Sequence, residues 1–116
     1  MALKKTTIDK TTGEEVLAYW RIALNNVSRS DKTAHIEILA FKSEEISELA
    51  KSNKNIVAID HKTFDVNPTD FDTYYAIPIV SQEGENETKQ SYNYIKRSVL
   101  DENGLETNEF ANSLDI

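Results

Sequence analysis

The side chains best able to do chemistry in this chain are few and scattered. His35 and His61 are the only imidazoles, and neither stands at a spacing that would bring two ring nitrogens to one metal or a base to a nucleophile. There is no cysteine, so disulfides, thiolate nucleophiles and Cys-based zinc sites are excluded. Asp65-Val-Asn-Pro-Thr-Asp-Phe-Asp72 offers several oxygen donors. A calcium loop of the EF-hand kind needs glycine at its sixth position and a bidentate acid at its twelfth. Those positions hold Asp70 and Ala76, so the run reads as a turn that bonds its own backbone. Glu44 with Glu45, or Glu83 with Glu85 and Glu87, would be paired carboxylates for acid–base work. The second group lies in a polar turn with no apolar neighbours to raise a pKa, and a solvated charge run is the simpler reading. Gly13, Gly84 and Gly104 lie too far apart to build a phosphate-cradling loop. The serines lack a His-and-acid context. The expectation is a non-enzymatic protein with no catalytic, cofactor-binding or metal-binding residue.

The aromatic residues are the next candidates. Tyr19, Trp20, Phe41, Tyr74, Tyr75, Tyr92 and Tyr94 would make stacking platforms for single-stranded nucleic acid if basic residues accompanied them. No basic cluster does. The net charge is -7, and such a surface repels phosphate backbones. No nucleic-acid partner is expected, and the aromatics read as core and interface residues. The charge is uneven. Lys4, Lys5 and Lys10 make the first ten residues basic, while Asp101 to Ile116 carries five acids and no Lys or Arg. The apolar runs are only a few residues long, so neither a signal peptide nor a membrane partner is expected. Asn26-Val-Ser28 and Asn86-Glu-Thr88 fit the glycosylation pattern but read as chance matches.

The elements that must position these residues follow from periodicity. The length of 116 residues suits a single α+β domain spanning 1–116, with a polar N-terminal arm at 1–14 and an acidic C-terminal tail at 105–116. Thr6–Asp9 reads as a short arm or edge strand, followed by a turn at Gly13. Val16–Val27 alternates, with Ala18, Trp20, Ile22 and Leu24 on one face and a half-apolar second face. Ala34, Ile36, Ile38 and Ala40 define a second strand, paired with the first as a hairpin. Ser43 caps a short helix with Ile46, Leu49 and Ala50 on its apolar stripe. Ile56–Ile59 begins a strand that extends to Phe64 or Val66. Asn67–Asp72 is a turn. Tyr75, Ile77 and Ile79 alternate, and Pro78 puts that strand, Tyr74–Val80, at a sheet edge or at a bulge; at an edge, another chain would cover it. Asn86 caps a longer helix with Tyr92, Ile95 and Val99 on its stripe, ended by Gly104.

Three stretches carry a family resemblance. They are Met1-Ala-Leu-Lys-Lys-Thr-Thr-Ile-Asp with Tyr19-Trp-Arg-Ile22, then Asp70-Phe-Asp-Thr-Tyr-Tyr75, then Lys89-Gln-Ser-Tyr-Asn-Tyr-Ile-Lys96 with Glu109-Phe-Ala-Asn-Ser-Leu-Asp-Ile116. Together they resemble small tail-associated structural proteins of phages and prophages of Gram-positive bacteria. Asp101–Asn108 departs from that pattern as an extra polar segment. The resemblance implies a virion protein made in the host cytoplasm, used in several copies, whose partners are itself and other tail proteins. It supplies no functional residues.

The fold expected is an antiparallel sheet of about four strands with one short and one longer C-terminal helix packed on it. The function expected is protein–protein contact within a phage or prophage tail, by a homo-oligomer. The interface would use Tyr74, Tyr75, Ile77, Ile79, Tyr92 and Phe110. The alternative is an acidic inhibitor or immunity-type protein that masks a basic partner.

Overall fold

A computed structural model describes residues 2–116. It has strands β1 (Leu3–Ile8), β2 (Glu15–Ser28) and β3 (Thr33–Phe41), then helix α1 (Glu44–Ala50) and strand β4 (Asp60–Val66). Helices α2 (Pro68–Tyr75), α3 (Ile77–Val80) and α4 (Glu87–Ile95) follow, and a short β5 (Leu114–Asp115) closes the chain. The strands form one antiparallel sheet in the order β4-β3-β2-β1-β5. The expected α+β architecture is present, with five strands in place of four. The N-terminal strand runs Leu3–Ile8 and lies inside the sheet, between β2 and β5, where an arm or edge strand over Thr6–Asp9 was expected.

Alternation in β2 and β3 builds the core. Ala18, Trp20, Ile36, Ile38 and Ala40 are fully buried on the face that the later helices, α2 and α4, cover. β4 adds Val66 and β1 adds Leu3. The alternation of β2 does not run unbroken. Ile22 pairs with Ile38 but Leu24 pairs with Glu37, so Ala23 is an extra residue, a β-bulge. Past it Asn25 stands opposite the buried Ile36, while Leu24, expected in the core, faces outward and is 44% exposed.

Tyr74–Val80 is not an edge strand. It forms the end of α2 and the single turn of α3. Asn67 caps α2 by accepting from the Asp70 N–H at 2.9 Å, and Pro68 opens the helix, where its missing N–H costs nothing. Phe71 and Tyr75, four residues apart, then share one buried face, their rings stacked at 5.3 Å. Pro78 sits in the first turn of α3 for the same reason as Pro68. The acids of the Asp65–Asp72 run are dispersed, with Asp65 toward His35 and Asp72 toward Lys32 at 3.4 Å.

α1 starts at Ser43 as expected, the hydroxyl accepting from the Ile46 N–H at 3.2 Å. Its contact with the sheet differs from the expected stripe. Ser47 is buried and accepts from Arg21 Nε at 2.6 Å, while Leu49 is exposed. Ile56–Ile59 is irregular, and β4 begins only at Asp60. Lys10 Nζ reaches the Asp60 carboxylate at 2.9 Å. Burial works to raise the Asp60 pKa, but this bond and the His61 N–H carry it below the ordinary value.

α4 begins at Asn86, whose side chain accepts from the Lys89 N–H at 2.8 Å. It replaces a missing strand. β1 pairs β2 only as far as Leu3–Trp20, so β2 runs on with one edge open. The Tyr92 hydroxyl accepts the Ile22 N–H there at 2.9 Å. Further along, the Ser91 hydroxyl meets Asn25 Oδ1 at 2.9 Å and Tyr75 Oη at 2.6 Å. Burial of the Tyr75 phenol pushes its pKa up to about 12. Arg29 closes this corner by donating to the Tyr75 carbonyl at 2.7 Å.

α4 ends at Ile95, so Val99 is not on a helical stripe and Gly104 does not end the helix. Asn108 Nδ2 donates to the carbonyls of Ile95 and Arg97 at 2.7 and 2.6 Å, satisfying acceptors the helix end leaves free. The chain then crosses the helix-bearing face, where Phe110 is buried edge-on to Trp20 at 5.1 Å. It finishes as β5 beside Leu3 and Lys4. The Trp20 indole N–H is the one buried side-chain polar atom without a hydrogen-bond partner among the described residues.

Candidate interaction surface

The face of the sheet opposite α2 and α4 is only partly covered. At one corner the Arg21 guanidinium, bonded to Ser47 of α1, lies over the buried Phe41 ring at 5.1 Å. Beside it the register sets Leu114 of β5, Lys4 of β1 and Tyr19 of β2 in one row across the strands. Leu17 lies two residues along β2 on the same face. The Ile116 carbonyl accepts from the Ala2 N–H at 3.1 Å, which holds the C-terminal residue in the same ladder. Lys4, Leu17, Tyr19, Lys42, Ser43, Glu44 and Ile116 line one shallow depression. Leu17 is 54% exposed and Leu114 63%, an apolar patch built on ladder-paired backbone. Burial beside α1 raises the Tyr19 pKa, with Glu44 and Glu48 adding to the effect.

The other end of this face is ionic. His35 Nδ1 lies 2.7 Å from Asp65 Oδ1 on β4, and its Nε2 lies 3.3 Å from Glu37 Oε1. The bond to Asp65, then that to Glu37, raises the imidazole pKa. Each ring nitrogen points at a carboxylate, so the cluster acts as a clasp between β3 and β4. His61, exposed on the neighbouring strand, pairs across to Leu39 and takes no part. Among the described residues no three His, Asp or Glu side chains are gathered as a bound cation would require, and no helix is long and apolar enough to cross a membrane.

The residues expected to form an interface are distributed otherwise. Tyr75, Tyr92 and Phe110 are buried core residues, so they cannot be contact residues while the chain keeps this fold. Tyr74 is half-buried edge-on to Tyr94 at 5.4 Å. Ile77 is exposed and Ile79 half-exposed on α3, where the helical backbone leaves no ladder for another chain to join. The half-apolar second face of β2 was the available sign of the surface that does exist. Its partners Leu114 and Ile116 stood out only as apolar points in a polar tail, and their place beside β1 comes from long-range pairing.

No protein-family model, no curated protein and no solved structure matches this chain.

Proposed function

We propose that this chain is a structural component of a phage or prophage tail, made in the host cytoplasm and acting through contacts with copies of itself and with other tail proteins. The observation that carries this reading is the apolar patch of Leu17, Tyr19, Leu114 and Ile116 on an ordered sheet. A surface already rigid loses little conformational freedom when a partner settles on it. The resemblance of the three sequence stretches supplies the kind of assembly. The test is recovery of the chain, by mass spectrometry, in particles purified from an induced lysogen that carries the gene. Stoichiometric recovery with tail proteins, and tail defects when the gene is deleted, are expected. Normal tails from the deletion strain, with the protein confined to the cytosol, would overturn the reading. The net charge of -7 favours a second reading, an acidic inhibitor of a basic enzyme. A one-to-one, salt-sensitive complex formed by a monomer would mark it.

A further inference from the structure

Between α4 and Phe110 the chain makes an excursion, Ser98–Asn108, that turns back at Asp101–Gly104. Leu100 and Glu106 are bridged across it, and the Asp101 N–H donates to the Leu105 carbonyl at 2.9 Å. The Gly104 N–H donates to the Asp101 carbonyl at 3.0 Å and the Thr107 N–H to the Val99 carbonyl at 2.7 Å, and side chains of the loop add the rest. Glu106 accepts from the Val99 and Asn108 N–H groups at 2.8 and 2.9 Å and from the Ser98 hydroxyl. Asp101 Oδ1 accepts from Asn103 and Leu105 at 2.8 and 3.0 Å. This ordered loop leaves Leu100 61% and Leu105 64% exposed. Asp101, Glu102 and Glu106 are their neighbours along the chain, and no Lys or Arg lies between Ser98 and Asn108.

The opposite face of the same molecule carries the complement. The depression lined by Leu17, Tyr19 and Ile116 has Lys4 and Lys42 at its rim. Lys4 makes no ion pair among the described residues, and Lys42 reaches only Asp9, at 3.6 Å. Glu44 is the one acidic side chain in that lining. We propose that the Ser98–Asn108 excursion of one copy docks into the Lys4–Lys42 depression of the next, leucines on the apolar floor and acids against the lysines. This rests on the reading of the chain as a self-assembling part and names the surfaces it uses. Because the loop springs from the helix-bearing side and the depression lies on the other, the contact is head-to-tail. Such contacts propagate into a ring or a filament.

Two full-length variants test it by sedimentation velocity. Leu100→Asp with Leu105→Asp spoils the loop and keeps the depression; Lys4→Glu with Leu17→Asp does the reverse. The wild type is expected to associate with rising concentration, less so at high salt. Each variant alone is expected to associate at least about thirtyfold more weakly. Their equimolar mixture is expected to give a one-to-one complex and nothing larger, since one competent pair of surfaces remains. Circular dichroism checks the fold. If a double variant fails to fold, Leu105→Ser and Lys4→Ala give the same comparison in milder form. A mixture that forms no complex would overturn the contact. Variants that associate like the wild type would overturn it while leaving an assembly role standing. A wild type that stays monomeric also overturns it, and recovery in particles then judges the tail reading separately.

Discussion

The β2–β3 pair and the segment from Lys96 to Ile116 are both ordered, yet opposite means hold them. In β2–β3 the backbone bonds to backbone, and alternating side chains fill the core. From Lys96 to β5 the backbone-to-backbone bonds are scattered turn bonds with no ladder. Side chains serve as the missing acceptors and donors, with Asp101, Glu106 and Asn108 bonded to main-chain groups. One apolar anchor, Phe110, ties the segment to Trp20. Order needs satisfied polar groups and some buried area, and a polar stretch can supply the first without any repeating pattern.

Removing the anchor separates the two regions most sharply. Phe110→Ala is expected to cost about 3–5 kcal/mol, measured by urea denaturation. Amides from Ser98 to Ile116 should exchange rapidly while those of Ile36 and Ile38 stay protected. Equal loss of protection in both would show that the segment has no separate identity. Tyr92→Phe comes next. It leaves the Ile22 N–H without an acceptor where β2 has outrun β1, at about 1–2 kcal/mol. The added exchange should centre on Ile22, and a loss confined to α4 would contradict the role given to that hydroxyl.

The smallest effects are those of pH, and their signs differ between the regions. The Ser98 hydroxyl, with the Val99 and Asn108 N–H groups, lowers the Glu106 pKa. Its support is present above the ordinary carboxylate pKa and fades as pH falls through the lowered one. Asp65 and Glu37 raise the His35 pKa, so its support is full below the ordinary imidazole pKa and fades as pH rises through the raised one. Acid should therefore loosen the excursion first, and mild alkali the β3–β4 clasp. Amide exchange at Val99 and at Asp65, followed across pH in the wild type and in His35→Asn, reads both. Loss of the His35-dependent slope is expected in the variant.

Much of the sheet was legible because period-two alternation in β2 and β3 coincides with burial. The caps Ser43 and Asn86 were legible because a short polar side chain before a helix has one obvious use. Tyr74–Val80 misled for a physical reason. Its apolar residues alternate, but Tyr75 must bury beside Phe71 and reach Ser91, which the four-residue spacing of a helix allows. Tertiary burial therefore overrode strand propensity. The candidate surface was half visible. Leu17 and Tyr19 stood on the second face of β2, whereas Leu114 and Ile116 join them only through long-range docking. The first half of the excursion was read as the end of the last helix, with Val99 on its stripe and Gly104 as its stop, since side-chain-to-backbone bonding has no period to detect.

Ala23 makes one position of β2 unlike the rest. Ile22 already faces Ile38 and Leu24 already faces Glu37, so the residue between them is spare. There the chain can shorten by one and leave every neighbour on its own side of the sheet. The same loss nearer Trp20 would send the indole out to solvent or Asn25 away from Ser91. Tolerance to changes of length in this strand is thus concentrated at a single alanine.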